Sequence, residues 1–261
     1  TSEDFPETQS PQVKQSVKIN GGDFINIIDK TGYASSKDDL KPALCGVYFN
    51  FKDNKITAVA TDGHKLVKHE QEVSEKTTTP LSIVLPLKFL NIVKTITENK
   101  EDVVVKIGEN HAQTEQKNFT LITRTIKEAF PDFNSVIPDN NKTVAEVNTQ
   151  EIVDCLKRVS IFSNKTSKQV SLELNESNII IKTEDPENIT TGKETLDCNY
   201  DGEPMTIGYN ALYLKEVLQQ QSSEEIKIML KSPLNAGLFI PMNQEENNIK
   251  TTLLMPIRLN D

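Results

Sequence analysis

The hydrophobic positions of the chain follow two periods, one typical of helices and one typical of strands. Residues 24–32 carry apolar side chains at helical spacing and predict a short amphipathic helix that ends near Gly32. Residues 47–51 alternate apolar and polar side chains, which predicts a strand. Asp53 and Asn54 then favour a turn, and the β-branched residues of 55–61 predict the returning strand of a hairpin.

The same two periods continue to the end of the chain. The further predicted helices cover residues 89–96, 152–159 and 211–218. The further predicted strands cover residues 81–85, 103–105, 119–125, 170–174, 178–183, 207–209, 226–230, 237–240 and 251–258. Residues 1–14 predict a polar tail, and residues 130–138 predict an extended connector with two prolines in it.

The two halves of the chain repeat one order of elements at an offset of 123 residues, since 47–51 aligns with 170–174 and 60–62 aligns with 183–185. A repeat of this length is too long for a solenoid unit and predicts two homologous domains. We expect these domains at residues 15–140 and 141–261, joined near residues 138–147. The predicted fold class is α+β, with two helices packed on antiparallel sheets in each domain.

Composition narrows the class of protein. The 261 residues are 36% hydrophobic, and no apolar run approaches the length of a membrane span. Cys45, Cys155 and Cys198 are odd in number and far apart, so they predict free thiols in a reducing cytoplasm. The net charge of −9 argues against a wholly basic surface for nucleic acid.

A local basic surface is still compatible with that charge, because contact with phosphate needs only a local excess of Lys and Arg. The alternative is an ordinary solvated helix face, and spacing alone favours that alternative. The candidates for a DNA-facing surface lie on predicted helices: Lys30, Lys88, Lys94, Lys157 and Arg158.

Catalytic motifs are absent from the sequence. Phosphate-binding loops, dinucleotide fingerprints and the common hydrolase and metalloprotease motifs do not occur. His64, His69 and His111 lack neighbours at metal-ligand spacing, so no metal or other cofactor is expected. The open alternative is a small hydrolase using Asp62 and His64, which lacks a nearby nucleophile. A non-catalytic binding module is therefore favoured.

Five segments, taken in order, carry a resemblance to a known family. They are residues 58–66 (AVATDGHKL), 130–133 (FPDF), 161–164 (IFSN), 207–210 (IGYN) with Tyr213, and 254–259 (LMPIRL). With them the chain resembles the bacterial DNA polymerase III beta subunit family, the ring-shaped sliding clamps, over essentially its full length.

The resemblance implies a DNA clamp fold and a non-catalytic accessory subunit of the polymerase in the bacterial cytoplasm. Subunits of this family have three similar domains, and two subunits close head to tail around duplex DNA. This chain resembles the second and third domains, with residues 1–14 as a stub of the first. The full-length protein is then expected to be a homodimer, and this chain is expected to be monomeric.

The resemblance also implies a hydrophobic pocket between the second and third domains that binds linear peptide motifs. The implied partners are the polymerase alpha subunit, the clamp-loader delta subunit, other polymerases and mismatch-repair proteins. Carried over by position, the pocket residues are Leu44, Thr61, Gly63, His64, Lys65, Leu66, Pro131, Val136, Asn210, Tyr213, Leu253, Leu254, Met255, Pro256, Ile257 and Arg258.

Two positions depart from the family pattern. Ser135 stands where the family often has Arg, and Ala236 replaces a small polar residue. The loss of the Arg is expected to weaken recognition of an acidic residue in the peptide, whereas Ala236 is expected to cost little.

Overall fold

The structure, a computed structural model, describes residues 13–259, apart from the side chains of residues 74–79. Most of the predicted tail at 1–14 therefore lies outside the described residues. Close packing divides the chain into two compact units. Unit 1 extends to Ala60 and resumes at Glu70–Pro131, and unit 2 combines Thr61–His69 with the chain from Asp132 onward.

Unit 1 consists of two helices and antiparallel strands. Its elements are β1 (Gln15–Asn20), α1 (Gly21–Gly32), a short 3-10 helix (Pro42–Leu44), β2 (Gly46–Thr61), β3 (Lys65–Pro86), α2 (Leu87–Ile96), β4 (Asp102–Ile107), β5 (His111–Gln116) and β6 (Phe119–Arg124). The last residue of β2 and the first five of β3 belong to unit 2. Four strands form an antiparallel sheet in the order β1-β4-β5-β6.

Helix α1 begins at Asn20, whose side-chain oxygen accepts hydrogen bonds from the backbone N–H groups of Gly22 at 3.0 Å and Asp23 at 3.4 Å. Its apolar face includes Phe24, which is fully buried and lies 6.0 Å from the ring of Phe49 on β2. The periodicity read from the sequence therefore matches the face that enters the core.

Unit 2 repeats this plan. Its elements are β7 (Thr143–Asn148), α3 (Thr149–Val159), a short 3-10 helix (Ser160–Phe162), β8 (Gln169–Asn175), β9 (Asn178–Asp185), β10 (Thr190–Asp197), β11 (Asn199–Tyr200), β12 (Met205–Asn210), α4 (Ala211–Gln219), β13 (Glu225–Leu230), β14 (Gly237–Pro241) and β15 (Asn248–Leu254).

The strands of unit 2 form two sheets, and both contribute buried side chains to one apolar core. One sheet has the order β10-β9-β8-β12. The other has the order β11-β7-β13-β14-β15, and the start of β3 is the next strand after β15. Helices α3 and α4 pack on each other and bury Ile152, Leu156 and Leu214 in the common core. The predicted α+β class, with two helices on antiparallel sheets in each half, is confirmed.

Two differences from the sequence analysis are informative. The predicted turn at Asp53 lies within a single strand, β2, in which Asp53 has a positive φ of 56°. The predicted joining segment near residues 138–147 is wrong in its second half, because β7 occupies it and pairs with β13. Ala145 and Val147 of β7 are buried, so their alternation was a strand signal.

The cap of α3 gives a test of this architecture. The side chain of Asn148 accepts hydrogen bonds from the backbone N–H groups of Gln150 and Glu151, both at 3.0 Å. Asn148→Ala removes both bonds and should lower the free energy of unfolding by about 1 kcal/mol in urea denaturation. Asn148→Asp keeps an acceptor and should lose much less; an equal loss in the two variants would contradict the capping role.

Candidate functional site

The turn between β2 and β3 is held by its own side chains. One carboxylate oxygen of Asp62 accepts hydrogen bonds from the backbone N–H groups of His64 at 2.8 Å and Lys65 at 2.9 Å. The hydroxyl of Thr61 donates to the carbonyl oxygen of Lys65 at 2.7 Å. Gly63 has a φ of 94°, which a residue with a side chain rarely adopts. The sequence Thr-Asp-Gly-His-Lys thus specifies one fixed turn.

Lys65 turns inward from this loop. Its side chain is 4% exposed, and its ammonium lies 2.6 Å from a carboxylate oxygen of Asp62 and 3.0 Å from one of Glu216 on α4. Burial alone would lower the pKa of Lys65, but hydrogen bonds and charge attraction from both carboxylates outweigh it and raise the pKa. The buried charge therefore ties the turn to α4.

The rings of His64 and Tyr213, next to this ion pair, form a surface patch. The imidazole of His64 stacks on the ring of Tyr213 with centroids 4.9 Å apart and planes 17° apart. The ammonium of Lys65 lies 5.0 Å from the centroid of the same Tyr213 ring. His64 is exposed and Tyr213 is half-buried, so the ring pair faces solvent.

The position of Tyr213 depends on the start of α4. The side-chain oxygen of Asn210 accepts from the backbone N–H of Leu212 at 3.0 Å and of Tyr213 at 3.5 Å. The amide nitrogen of Asn210 also donates to the carbonyl oxygen of Ser167 at 3.2 Å. Asn210 therefore fixes the start of α4 through its side-chain oxygen, which caps the helix, and through its side-chain nitrogen, which bonds to Ser167.

The C-terminal segment completes the site through backbone hydrogen bonds. The N–H of Met255 donates to the carbonyl oxygen of His64 at 2.9 Å, and the N–H of Ile257 donates to that of Gly208 at 2.9 Å. A Cβ at Gly208 would lie 2.8 Å from the carbonyl oxygen of Ile257. Only glycine at this position therefore allows the C-terminal segment to approach the backbone of β12 so closely. Met255 remains 43% exposed beside the turn.

The predicted pocket residues fall into three groups. Buried beneath the surface are Thr61, Lys65, Leu66, Leu253 and Leu254. At or near the surface of unit 2 are Gly63, His64, Val136, Asn210, Tyr213, Met255, Pro256, Ile257 and Arg258. Leu44 and Pro131 belong to unit 1, where Leu44 is half-buried and Pro131 is exposed.

The two departures from the family pattern have local roles. The hydroxyl of Ser135 donates to the carbonyl oxygen of Asp132 at 2.8 Å, which closes a turn in the connector. Ala236 is buried, and its carbonyl oxygen accepts a hydrogen bond of 2.8 Å from the side chain of Asn141. Ser135 is uncharged, so the connector offers no positive charge to a ligand at this position.

The hydrolase alternative has no supporting geometry. Both carboxylate oxygens of Asp62 are occupied by the two backbone N–H groups and by Lys65. Among the described contacts, the imidazole of His64 stacks on Tyr213, and it is the backbone N–H of His64, not the ring, that bonds to Asp62. A general base oriented by a carboxylate is therefore not formed here.

Most of the candidate DNA-facing cations are paired with carboxylates. Lys94 lies 2.6 Å from Asp29, and Lys157 lies 2.8 Å from Asp154. Arg158 makes bonds to both carboxylate oxygens of Glu194, the shortest at 2.7 Å. Lys30 lies in the last turn of α1, and Lys88 is exposed on α2. The pairing reduces the positive field of these helix faces.

Other site classes find no support in the described part of the chain. It holds no group of three or more His, Cys, Asp or Glu residues that could bind a metal ion. None of its helices is long and apolar enough to cross a membrane. Its three cysteines are free, and burial raises the pKa of the Cys198 thiol to about 11, with Asp197 adding to the effect.

Comparison with protein families identifies the family to which this chain belongs. Residues 18–132 match the central domain of the DNA polymerase III beta subunit, and residues 134–258 match its C-terminal domain. The chain belongs to the DNA polymerase III beta subunit family. Both halves of the repeat seen in the sequence are therefore domains of that family.

Individual relatives agree with this membership. A beta sliding clamp of Vibrio cholerae is 25% identical over 256 residues, which are 98% of this chain and 69% of the relative. One from Haemophilus influenzae is 27% identical over 263 residues, covering 99% of this chain and 69% of the relative. The chain thus spans about two thirds of these beta subunits.

Solved structures share the fold. A DNA polymerase sliding clamp from Pseudomonas aeruginosa, solved with a ligand, has a TM-score of 0.94 at 23% identity and covers 99% of this chain and 70% of its own. A sliding clamp from Bartonella birtlesii, bound to griselimycin, has a TM-score of 0.90 at 26% identity and covers 98% of this chain and 70% of its own.

Two residues that support the site were not named as site residues from the sequence, although Gly208 lies in the 207–210 segment that carries the resemblance. Glu216 pairs with Lys65, and Gly208 receives the C-terminal segment. Glu216 lies three positions after Tyr213 on α4, so helical spacing places both side chains on one face. The helix pattern could therefore have pointed to Glu216 once Tyr213 was chosen.

The buried ion pair predicts a large effect of one substitution. Lys65→Met leaves the carboxylates of Asp62 and Glu216 close together without their cation. Because Glu216 is 41% exposed and stays solvated, the free energy of unfolding should fall by roughly 2 kcal/mol, less than for a fully buried pair. Urea denaturation measures this loss. Lys94→Met removes the exposed pair with Asp29 and should cost under about 1 kcal/mol. Equal losses in the two variants would contradict the structural role of Lys65.

Proposed function

We propose that this chain acts as part of a replicative sliding clamp and tethers partner proteins by a short linear peptide. The observation that carries the proposal is the solvent-facing ring pair of His64 and Tyr213, with the exposed side chain of Met255 beside it. Stacked rings and a flexible thioether give an adaptable apolar surface that suits peptide side chains.

The rest of the site supports a binding role and not a catalytic one. The charged groups nearest the rings, Lys65, Asp62 and Glu216, are bonded to one another. They fix the rings in place, which lowers the ordering cost of binding. The relatives named as beta sliding clamps support the same non-catalytic assignment.

The proposed partners follow from the family. They are the polymerase III alpha subunit, the clamp-loader delta subunit, other DNA polymerases and mismatch-repair proteins, all in the bacterial cytoplasm. Because Ser135 brings no cation to the connector, the site should tolerate peptides that lack an acidic residue.

We further propose that a full-length clamp ring containing these two domains encircles duplex DNA without reading its sequence, with Lys30, Lys88, Lys94, Lys157 and Arg158 facing the DNA. Carboxylates next to Lys94, Lys157 and Arg158 weaken their attraction for phosphate. Weak, sequence-independent contact is what a ring needs in order to slide.

Peptide titration tests the binding site. A polymerase-tail peptide with a Gln and a downstream Leu-Phe pair should bind at micromolar affinity, as measured by isothermal titration calorimetry. Met255→Ala and His64→Ala should each weaken binding about tenfold, because each removes apolar contact at the centre of the site.

The matched control is Leu40→Ala, which removes an apolar side chain that is 90% exposed in unit 1. It should leave the affinity unchanged. No binding to the unaltered chain, or equal affinities in Met255→Ala and Leu40→Ala, would refute the assignment of the peptide site.

The assembly proposal has a separate test. In the family, head-to-tail closure joins the first domain of one subunit to the third of the next, and this chain matches the central and C-terminal domains. We therefore expect light scattering to give a mass near 29.3 kDa for the 261-residue chain. A stable dimer of this chain that stays on circular DNA would overturn the expectation.

A further inference from the structure

A cavity of about 610 Å³ in unit 1 is lined by Asn110, His111, Arg124, Thr125, Ile126, Lys127 and Glu128. It lies where β6 ends and the chain leaves the sheet. Its volume falls in the range of small-molecule sites, which is about 300–1,000 Å³. None of these residues belongs to the peptide site or to the DNA-facing set.

The lining is held by backbone hydrogen bonds. His111 and Arg124 are paired residues at the ends of β5 and β6, so their side chains lie on the same face of the sheet. The N–H of Thr125 donates to the carbonyl oxygen of Asn110 at 3.0 Å, and that of Ile126 donates to Val84 at 3.1 Å. The cationic side chains therefore project from a fixed frame.

Among the residues that the structure describes, the two cations of this lining have no carboxylate partner. Elsewhere on the same sheet, Lys18 pairs with Asp102 at 2.8 Å and Lys106 with Glu115 at 2.7 Å. Glu109, next to Asn110 in the chain, lies 3.6 Å from Lys14 instead. The described side chains form no ion pair with Arg124 or Lys127, which are both exposed, although the chain has a net charge of −9. Two cations that line one cavity repel each other unless an anion lies between them.

The charge and size of the cavity indicate the ligand. Arg124 and Lys127 supply two positive charges, His111 supplies at least one ring N–H donor, and Glu128 is the one acidic residue in the lining. A phosphate monoester carries about −1.5 to −2 charge and matches this set better than a single carboxylate does. The remaining volume, beside the apolar Ile126, exceeds that of a phosphate group alone.

We propose that this cavity binds the phosphate group of a phosphorylated small molecule of nucleotide size. The guanidinium of Arg124 donates hydrogen bonds to two phosphate oxygens, Lys127 supplies a second positive charge, and a ring N–H of His111 donates a further hydrogen bond. The site is independent of the proposed peptide-binding and DNA-encircling functions.

Isothermal titration with pyrophosphate and with ADP at low ionic strength tests the proposal on the 261-residue chain. Both should bind in a saturable way, and Arg124→Gln should weaken both about tenfold or more. Glu128→Gln removes the acidic residue of the lining and should strengthen binding about threefold. A misfolded variant would not bind more tightly, so this direction separates a site from a general structural effect.

The matched control is Lys117→Gln, which removes an exposed cation at the β5–β6 turn outside the cavity and should change neither affinity. Failure of both pyrophosphate and ADP to bind at millimolar concentration would overturn the proposal, as would equal affinities in Arg124→Gln and Lys117→Gln. A single-stranded oligonucleotide is titrated as a further arm. If it binds through Arg124 while pyrophosphate and ADP do not, the surface contacts nucleic acid and the proposal is wrong.

Discussion

The buried ammonium of Lys65 is the interaction on which the candidate peptide site depends. It lies between the carboxylates of Asp62 and Glu216, at 2.6 Å and 3.0 Å, and so joins a turn to a helix that follows about 150 residues later. A buried charge is costly unless its partners are well placed, so the turn and α4 must keep one relative position. That constraint sets His64 on Tyr213. The ion pair thus supplies no charge to a ligand and instead fixes the rings that a ligand would contact.

Backbone hydrogen bonds extend this constraint to the end of the chain. The backbone N–H of Met255 donates a hydrogen bond to His64, and that of Ile257 donates one to Gly208. A side chain at Gly208 would displace the C-terminal segment that contains Ile257. The side chain of Met255 is exposed, while its backbone is anchored by a hydrogen bond. The proposed peptide site combines a stacked ring pair with one adaptable side chain, a combination that would suit several related peptides better than a single one.

Periodicity predicted the four helices because each buries an apolar stripe at helical spacing, as Phe24 shows on α1. The turn at Gly63 was predictable because Asp-Gly favours one there. The sequence analysis placed Lys65 in the pocket wall, but its side chain lies beneath the surface. Its bond to Glu216 could not be predicted from local pattern, since it joins segments far apart in the chain. Strand β7 was overlooked because the preceding prolines and asparagines resembled a linker.

The most direct test of this account is a crystal structure of the chain with a polymerase-tail peptide bound. The account predicts that the apolar pair of the peptide contacts the rings of His64 and Tyr213 and the side chain of Met255, while Lys65 keeps its bonds to Asp62 and Glu216. A peptide bound elsewhere, with this surface open to solvent, would contradict it. So would a complex in which Lys65 leaves both carboxylates to contact the peptide.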